Sequence, residues 1–360
     1  MADNIESSSK KQKQETIKAD TGKRRKEQFI EQLNEGDKVN DFFAIKMKSP
    51  PRPYKRGTWF NILSSDKTGE ISIKYWGGEN KEQVKKLYES LQIGDVIKVR
   101  NGVYEIYADK PQISINEDKG SMTKLVPGEY DVKDFLPTLE NEKIDKLTKK
   151  LIDEIENMED KQLKNLLNSF FKDQKFLQEF IHAPSAMTHH HNYIGGNLEH
   201  TSNVVELCKK ITTMYHHINK DLLITGAILH DVGKIKEYKT TASIDKTSEG
   251  NFIGHIVIGD RWIKEKIQKI REKGGTFSDE KEIHLSHMIL SHHGKYEYGS
   301  PRMPKTIEAC ILHQADNMDA QVKNFIQHIK EGRKMTDEKW AFLYDSEVGR
   351  KRNMYLGKDY

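Results

Sequence analysis

Residues 222–236, LLITGAILHDVGKIK, place a His-Asp pair, His230-Asp231, inside an apolar run. Leu222, Leu223, Ile224, Ala227, Ile228 and Leu229 are too apolar for a surface helix, so the pattern predicts a helix at the centre of a core. A histidine and an aspartate there must be hydrogen-bonded, ion-paired or metal-bound, because burying them bare is costly. Successive helical residues diverge by about 100°. His230 can therefore hold one cation while Asp231, with two oxygens, reaches toward a second. Lys234 follows four residues after His230 and can bring a positive charge toward an anionic substrate.

The other candidate ligands must come from elements elsewhere in the chain. All 15 histidines fall between His182 and His328, so acid–base or metal chemistry belongs to the second half. Before the central helix, the segment HHHNYIGGNLEH ends on His200, which opens an amphipathic helix and is the natural third ligand. Asp316 sits in TIEACILHQADNMDAQV beside Ala309, Leu312 and Ala315, and can supply a fourth. His255, His292 and His293 suggest a neighbouring site bridged by Asp231. Imidazoles plus carboxylates suit Zn, Mn, Fe or Ni. Two such ions about 3.5–4 Å apart can clamp the attacking and leaving oxygens of a phosphodiester. The chain has neither a Gly-x-x-x-x-Gly-Lys phosphate loop nor a His-Glu-x-x-His peptidase signature.

The first half lacks histidine and reads as strands, at 39–47, 58–64, 70–76, 95–100 and 103–108, with a short continuation at 112–115. A helix is expected over 80–91, before the fourth strand. That is the layout of a small Greek-key barrel of OB type, spanning 36–118. Phe60, Ile62, Ile71, Ile73 and Tyr75 are core candidates by alternation. Trp59, Asn61, Lys74 and Trp76 fall on the opposite face, where aromatic rings and cations hold single-stranded nucleic acid. The proline-rich segment 50–56, read as a hinge, adds Arg52, Lys55 and Arg56. The competing reading packs both tryptophans against the helix or the other domain.

Residues 1–30 form a basic, polar lead expected to be disordered. Residues 119–139, with Pro127-Gly128 and Pro137, look like a connector. From Glu140 nearly everything reads as helix, in a domain spanning 140–335 followed by an extension over 336–360. No apolar run approaches the roughly 20 residues of a membrane helix. Cys208 and Cys310 lie far apart in helical patterns, so a disulfide framework is not expected and a reducing cytoplasm is the default. A net charge of +4 identifies no partner by itself.

The sequence His200, His230-Asp231, Asp316 resembles the H…HD…D pattern of the HD phosphohydrolase superfamily. HHNYIGGNLEHT, ILHDVGK, GHIVIGD, HMILSHHGKYEYGSP and LHQADNMDA are similar to segments of the YhaM family of 3′–5′ exoribonucleases. The resemblance runs from about Gly36 to the C-terminus. It implies an all-β OB-type barrel followed by an all-α HD domain. It also implies a cytoplasmic exonuclease, able to form homo-oligomers, that acts from the 3′ end of single-stranded RNA and also on ssDNA. By position, the implied ligands of two divalent cations per chain are His200, His230, Asp231, His255, His292, His293 and Asp316. Manganese is the first candidate, with Fe, Ni, Zn or Co as alternatives. Asp231 and Lys234 would be catalytic, Lys234 at the scissile phosphate, and His190 and His191 would line the substrate pocket. Two rivals are an HD hydrolase of nucleotides or cyclic nucleotides, and a strand-binding protein whose HD half is an inactive scaffold.

Overall fold

A computed structural model describes residues 24–187, 192–345 and 349–357. The first half is built from β1 (Lys38–Val39), β2 (Phe42–Tyr54), β3 (Gly57–Asp66), β4 (Gly69–Trp76), α1 (Lys81–Ser90), β5 (Val96–Arg100), β6 (Gly102–Tyr107), β7 (Lys110–Asn116) and β8 (Ser121–Leu125). The strands pair in the order β1-β6-β7-β4-β3-β2-β5-β8. All adjacent pairs are antiparallel except β4 with β7, the parallel closure that makes the meander a Greek-key barrel of OB type. Alternation holds as expected: Phe60, Ile62, Ile71, Ile73 and Tyr75 are all buried. Each such side chain contributes about 1.5–3 kcal/mol. The helix α1 is capped by the Asn80 side chain, which accepts from the Gln83 N–H, and it seals the barrel with Val84.

Three expectations need correction here. The proline-rich segment is no hinge, because β2 runs through it to Tyr54, with register shifts before Met47 and Arg52. Only Phe42–Ala44 of β2 pairs with β5, so the prolines fall on a free edge where no N–H is required. The connector begins later than 118, since Ser121–Leu125 pairs along β5 and extends the barrel sheet. Within the lead expected to be disordered, residues 24–30 are structured, with Arg24 pairing with Tyr130, and residues 1–23 lie outside the described residues. Lys26 is buried: its Nζ donates to the Phe42 carbonyl at 2.7 Å and lies 3.4 Å from Asp66.

The second half comprises α2 (Asn141–Glu156), α3 (Lys161–Phe171), α4 (Gln174–His182), α5 (Gly196–Thr212), α6 (Lys220–Leu229), α7 (Lys234–Glu237), β9 (Tyr238–Thr240), β10 (Ile244–Lys246), α8 (Ser248–Phe252), α9 (His255–Glu272), α10 (Asp279–Ser291), α11 (Ile307–Met335), β11 (Trp340–Asp345) and β12 (Arg350–Tyr355). Every residue of α6 from Leu222 to Leu229 is buried, and α3, α5, α10 and α11 pack around it. Its contact with α10 is close because residue 226 is glycine: a Cβ there would meet Met288 Cε at 2.2 Å. The stretch read as one helix over 222–236 is broken. The α-helix ends at Leu229, and a turn through His230–Gly233 precedes α7.

The second half is not purely helical. The hairpin β9–β10 delivers Ala242 into a cluster with Phe42, Ala44, Val96, Leu125 and Phe135, joining the helical half to the barrel. The hairpin β11–β12 packs Leu343, Met354 and Leu356 together, with Leu343 and Leu356 close to Gly332 of α11. Among the described residues, no helix is long and apolar enough to cross a membrane. Cys208 is buried, Cys310 exposed, and both are free.

Candidate active site

Five elements or their ends converge at the C-terminal end of α6. His200 projects from the second turn of α5, while His230 and Asp231 occupy the turn that follows α6. His255 is the first residue of α9, His292 and His293 follow α10, and Asp316 lies on α11. All seven expected ligands are thereby brought together.

Five imidazoles are anchored in the same way. The Nδ1–H of His200 donates to Asp319 Oδ2 at 2.7 Å, and that of His255 donates to Glu237 Oε2. The Nδ1–H groups of His230, His292 and His293 donate to the carbonyls of Ala227, Ile289 and Tyr298, at 2.7–2.8 Å. These acceptors carry no proton to give, so in the neutral rings each Nε2 keeps its lone pair. Those nitrogens converge. His200 Nε2 lies 3.2 Å from His230 Nε2, 3.5 Å from Asp231 Oδ2 and 3.1 Å from Asp316 Oδ1. His230 Nε2 is 3.3 Å from the same Asp231 oxygen. The other oxygen, Oδ1, is 3.5 Å from His255 Nε2 and 3.7 Å from His292 Nε2.

Two lone pairs 3.2 Å apart repel unless a cation or proton lies between them. At metal–nitrogen distances of about 2.0–2.1 Å, ligand atoms on one ion stand about 3–3.4 Å apart, which matches this geometry. Asp231 Oδ1, His255 Nε2 and His292 Nε2 are buried without a hydrogen-bond partner. Orphaned groups of this kind are rare in folded proteins and call for an explanation such as a bound ion. The ligand atoms of His200, His230 and Asp231 lie within 4.8 Å of one another, as do those of His255, His292 and His293. The donor set therefore fits divalent cations in two groups sharing Asp231.

The electrostatics differ between the groups. Burial works against charge on His200, but hydrogen bonds to Asp316 and Asp319 outweigh it and raise its pKa to about 9. Without a metal, that group traps a proton. Burial, reinforced by neighbouring imidazoles, holds His292 and His293 below the usual histidine range, so they remain neutral. Burial opposes ionisation of Asp231 and Asp316, yet the surrounding cationic groups keep both carboxyls far below the usual range. Lys234 Nζ lies 2.6 Å from Asp231 Oδ2 and 3.1 Å from Ser185 Oγ, on the wall of a cleft of about 550 Å³ that opens over the His/Asp cluster.

Two glycines set this geometry. Gly233 touches α9 so closely that a Cβ would come within 2.0 Å of the His255 carbonyl oxygen. Gly294, at φ +76°, abuts the His313 ring, whose Nδ1–H donates to the His292 carbonyl. His313 also lines the cleft. Sequence reasoning missed Asp319 and Glu237, the carboxylates behind His200 and His255. Asp319 stands one turn past Asp316, a spacing that offered a signal. Glu237 follows the helix break, which no periodicity reveals. His190 and His191 lie outside the described residues.

On the barrel, Trp59 and Trp76 are paired in register, and their rings stack at 5.4 Å. Tyr54 meets Trp76 edge-on at 5.0 Å. Lys74 Nζ lies 5.8 Å from the Trp59 ring and 5.0 Å from Tyr107. Arg52 registers with Trp59, and Lys55 and Arg56 are exposed at the β2–β3 turn. The tryptophans pack on each other on the outer face of the sheet, making a half-exposed aromatic strip edged by cations.

Residues 197–321, within the helical half, match the family model of the HD domain. The relatives extend over most of the chain. A protein of Listeria welshimeri is 31% identical over 300 residues, covering 82% of this chain and 90% of that one. One from a Geobacillus species is 33% identical over 288 residues, covering 80% and 83%. One from Bacillus subtilis is 30% identical over 287 residues, covering 80% and 86%. Each of the three is named 3′-5′ exoribonuclease YhaM, and this chain belongs to the YhaM family. A replication factor A related protein from Methanobacterium thermoautotrophicum is 21% identical, covering 27% of this chain and 89% of that one, at a TM-score of 0.24. The barrel assignment rests on the strand pairing and not on that likeness.

Proposed function

We propose that this chain is a metal-dependent 3′–5′ exoribonuclease. It shortens single-stranded RNA, and single-stranded DNA as well, to nucleoside monophosphates at a centre for two divalent cations, manganese first among the candidates. The observation that carries this reading is Asp231, whose two oxygens face two separate sets of Nδ1-anchored imidazoles. His200, His230 and Asp316 would hold one ion and His255, His292 and His293 the other, with Asp231 between them. When bound, the ions would activate water and neutralise charge gathering at phosphorus.

The remaining roles belong to side chains. Lys234, steadied by Asp231 and Ser185, would hold a non-bridging phosphate oxygen. Asp319 and Glu237 fix the tautomers and ring orientations of His200 and His255. The Trp59–Trp76 strip, with Lys74, Arg52 and Arg56, would grip the strand by stacking and charge. A hydrolase of free nucleotides needs no such strip, and an inert scaffold has no use for orphaned lone pairs. The two free cysteines support a reducing, cytoplasmic setting. Assembly into homo-oligomers is part of the same reading.

The test is to incubate 5′-labelled single-stranded RNA with the protein and Mn²⁺. Progressive shortening, lost in the His230→Ala/Asp231→Ala double variant, is the expected result. Undiminished shortening by that variant would falsify the assignment.

A further inference from the structure

The cleft continues past the His/Asp cluster along one face of α11, and no role has been given to the residues there. Beyond Asp316, the residues Asn317, Ala320, Gln321 and Asn324 line it. At 1.5 Å per residue, Gln321 and Asn324 lie about 7.5 and 12 Å along the axis from Asp316, the stretch a nucleoside occupies beyond its own phosphate. This face differs from the rest of the same helical segment. Val322, Phe325 and Ile326 are exposed elsewhere on α11, whereas the cleft side carries carboxamides. Gln321 Nε2 donates to Asn317 Oδ1 at 3.2 Å, and the Asn324 side chain makes no hydrogen bond among the described residues. Apart from the histidines and the phenols of Tyr238 and Tyr298, the ionisable groups among the described lining residues are Lys234 and Asp316, both at the phosphate end. Tyr298, whose carbonyl anchors His293, is 45% exposed and lines the same cleft.

We infer that Asn317, Gln321 and Asn324, with Tyr298, seat the base of the 3′-terminal nucleotide; this rests on the exonuclease reading above. A carboxamide presents one donor and one acceptor side by side and can swivel to exchange them. A row of them can therefore satisfy the edge of any of the four bases, while an aromatic ring stacks on any base face. Uncharged groups beyond the phosphate suit a neutral heterocycle, and Ala320 leaves room between the amides. The site would be selective for the presence of a base and tolerant of its identity. An enzyme that removes residues one after another from an arbitrary sequence requires that combination.

The experiment compares removal of the last residue from 5′-labelled strands. The strands end in each of the four bases or in a 1-deoxy abasic sugar, and Mn²⁺ is present. Wild-type protein should process the four normal ends within a few-fold of one another and the abasic end about tenfold more slowly, a loss in line with one stacked ring and one or two hydrogen bonds. In the Gln321→Met/Asn324→Leu variant the ratio of normal to abasic kcat/KM should fall toward one, with thermal midpoint and manganese stoichiometry unchanged. Equal wild-type rates on normal and abasic ends would overturn the inference while leaving the exonuclease intact. Full discrimination retained by the variant, or a strong preference for a single base, would overturn it in the same way. Failure of wild-type protein to shorten any strand would remove the functional reading and this site with it.

Discussion

Replacing Asp319 by asparagine would remove one charge and half of the acceptor capacity that two neighbours share. Its Oδ2 takes the Nδ1–H of His200 at 2.7 Å, and its Oδ1 takes an N–H of Asn203 at 2.8 Å. An asparagine offers a single oxygen, so one of those donors would then face an NH₂ group. The ring of His200 loses its carboxylate support, and Nε2 becomes a weaker ligand. Substitutions behind a metal-bound histidine typically cost about 10–100-fold in affinity, or about 1.4–2.7 kcal/mol.

The pH dependence separates this effect from general damage. Metal-free His200 holds its proton up to about pH 9, because the Asp316 and Asp319 hydrogen bonds outweigh burial. An incoming cation must displace that proton. The metal-free form carries it and the loaded form does not, so affinity at this group rises with pH below about 9, by up to about tenfold per unit. Asp319→Asn weakens the hold on the proton as well, so its affinity should climb less steeply than wild type between about pH 6.5 and 8.5. Calorimetric titration of the apo-protein with Mn²⁺ at several pH values, in buffers of different ionisation enthalpy, reads both affinity and proton release. Unchanged affinity together with an unchanged slope would refute the reasoning.

Gly233→Ala should cost about 1–3 kcal/mol of stability and lower manganese stoichiometry, because its Cβ would strike the His255 carbonyl at 2.0 Å; Gly259→Ala, whose nearest contact is 3.5 Å, is the matched control in thermal melts and metal analysis. Lys26→Met should destabilise the barrel by about 3–5 kcal/mol, since it leaves buried Asp66 and Asp41 without their cation. An unchanged urea midpoint would contradict that. Trp59→Ala and Trp76→Ala should each weaken binding of a long single strand by about 1–3 kcal/mol while sparing dinucleotide hydrolysis, as read by fluorescence anisotropy and product analysis. Equal affinity for long strands would remove the barrel face from the account.

The residues that could do chemistry were legible because their types are costly where they stand. A His-Asp pair after six apolar residues has few inexpensive explanations, and the histidine-free first half localised the search. Period-two alternation likewise exposed the barrel core at Phe60, Ile62, Ile71, Ile73 and Tyr75. Tertiary partners defeated local pattern elsewhere. The prolines of β2 read as a break because a sequence does not show which strand edge is free. Lys26 read as solvated because its two carboxylates lie 15 and 40 positions away. The hairpin β9–β10 is held by Ala242 against another domain, a contact that propensity cannot anticipate. Trp340, Phe342 and Tyr344 did alternate with buried Leu343, so β11 was readable in hindsight.

Asp231 has only one side chain to divide between two clusters, and that ties their occupancies together. Under the proposed two-ion reading, an ion seated against one oxygen would fix the carboxylate's orientation for a second ion and also draw charge away from it, so affinity at one cluster would depend on whether the other is filled. Stepwise metal titration would then show two linked events in place of two independent ones.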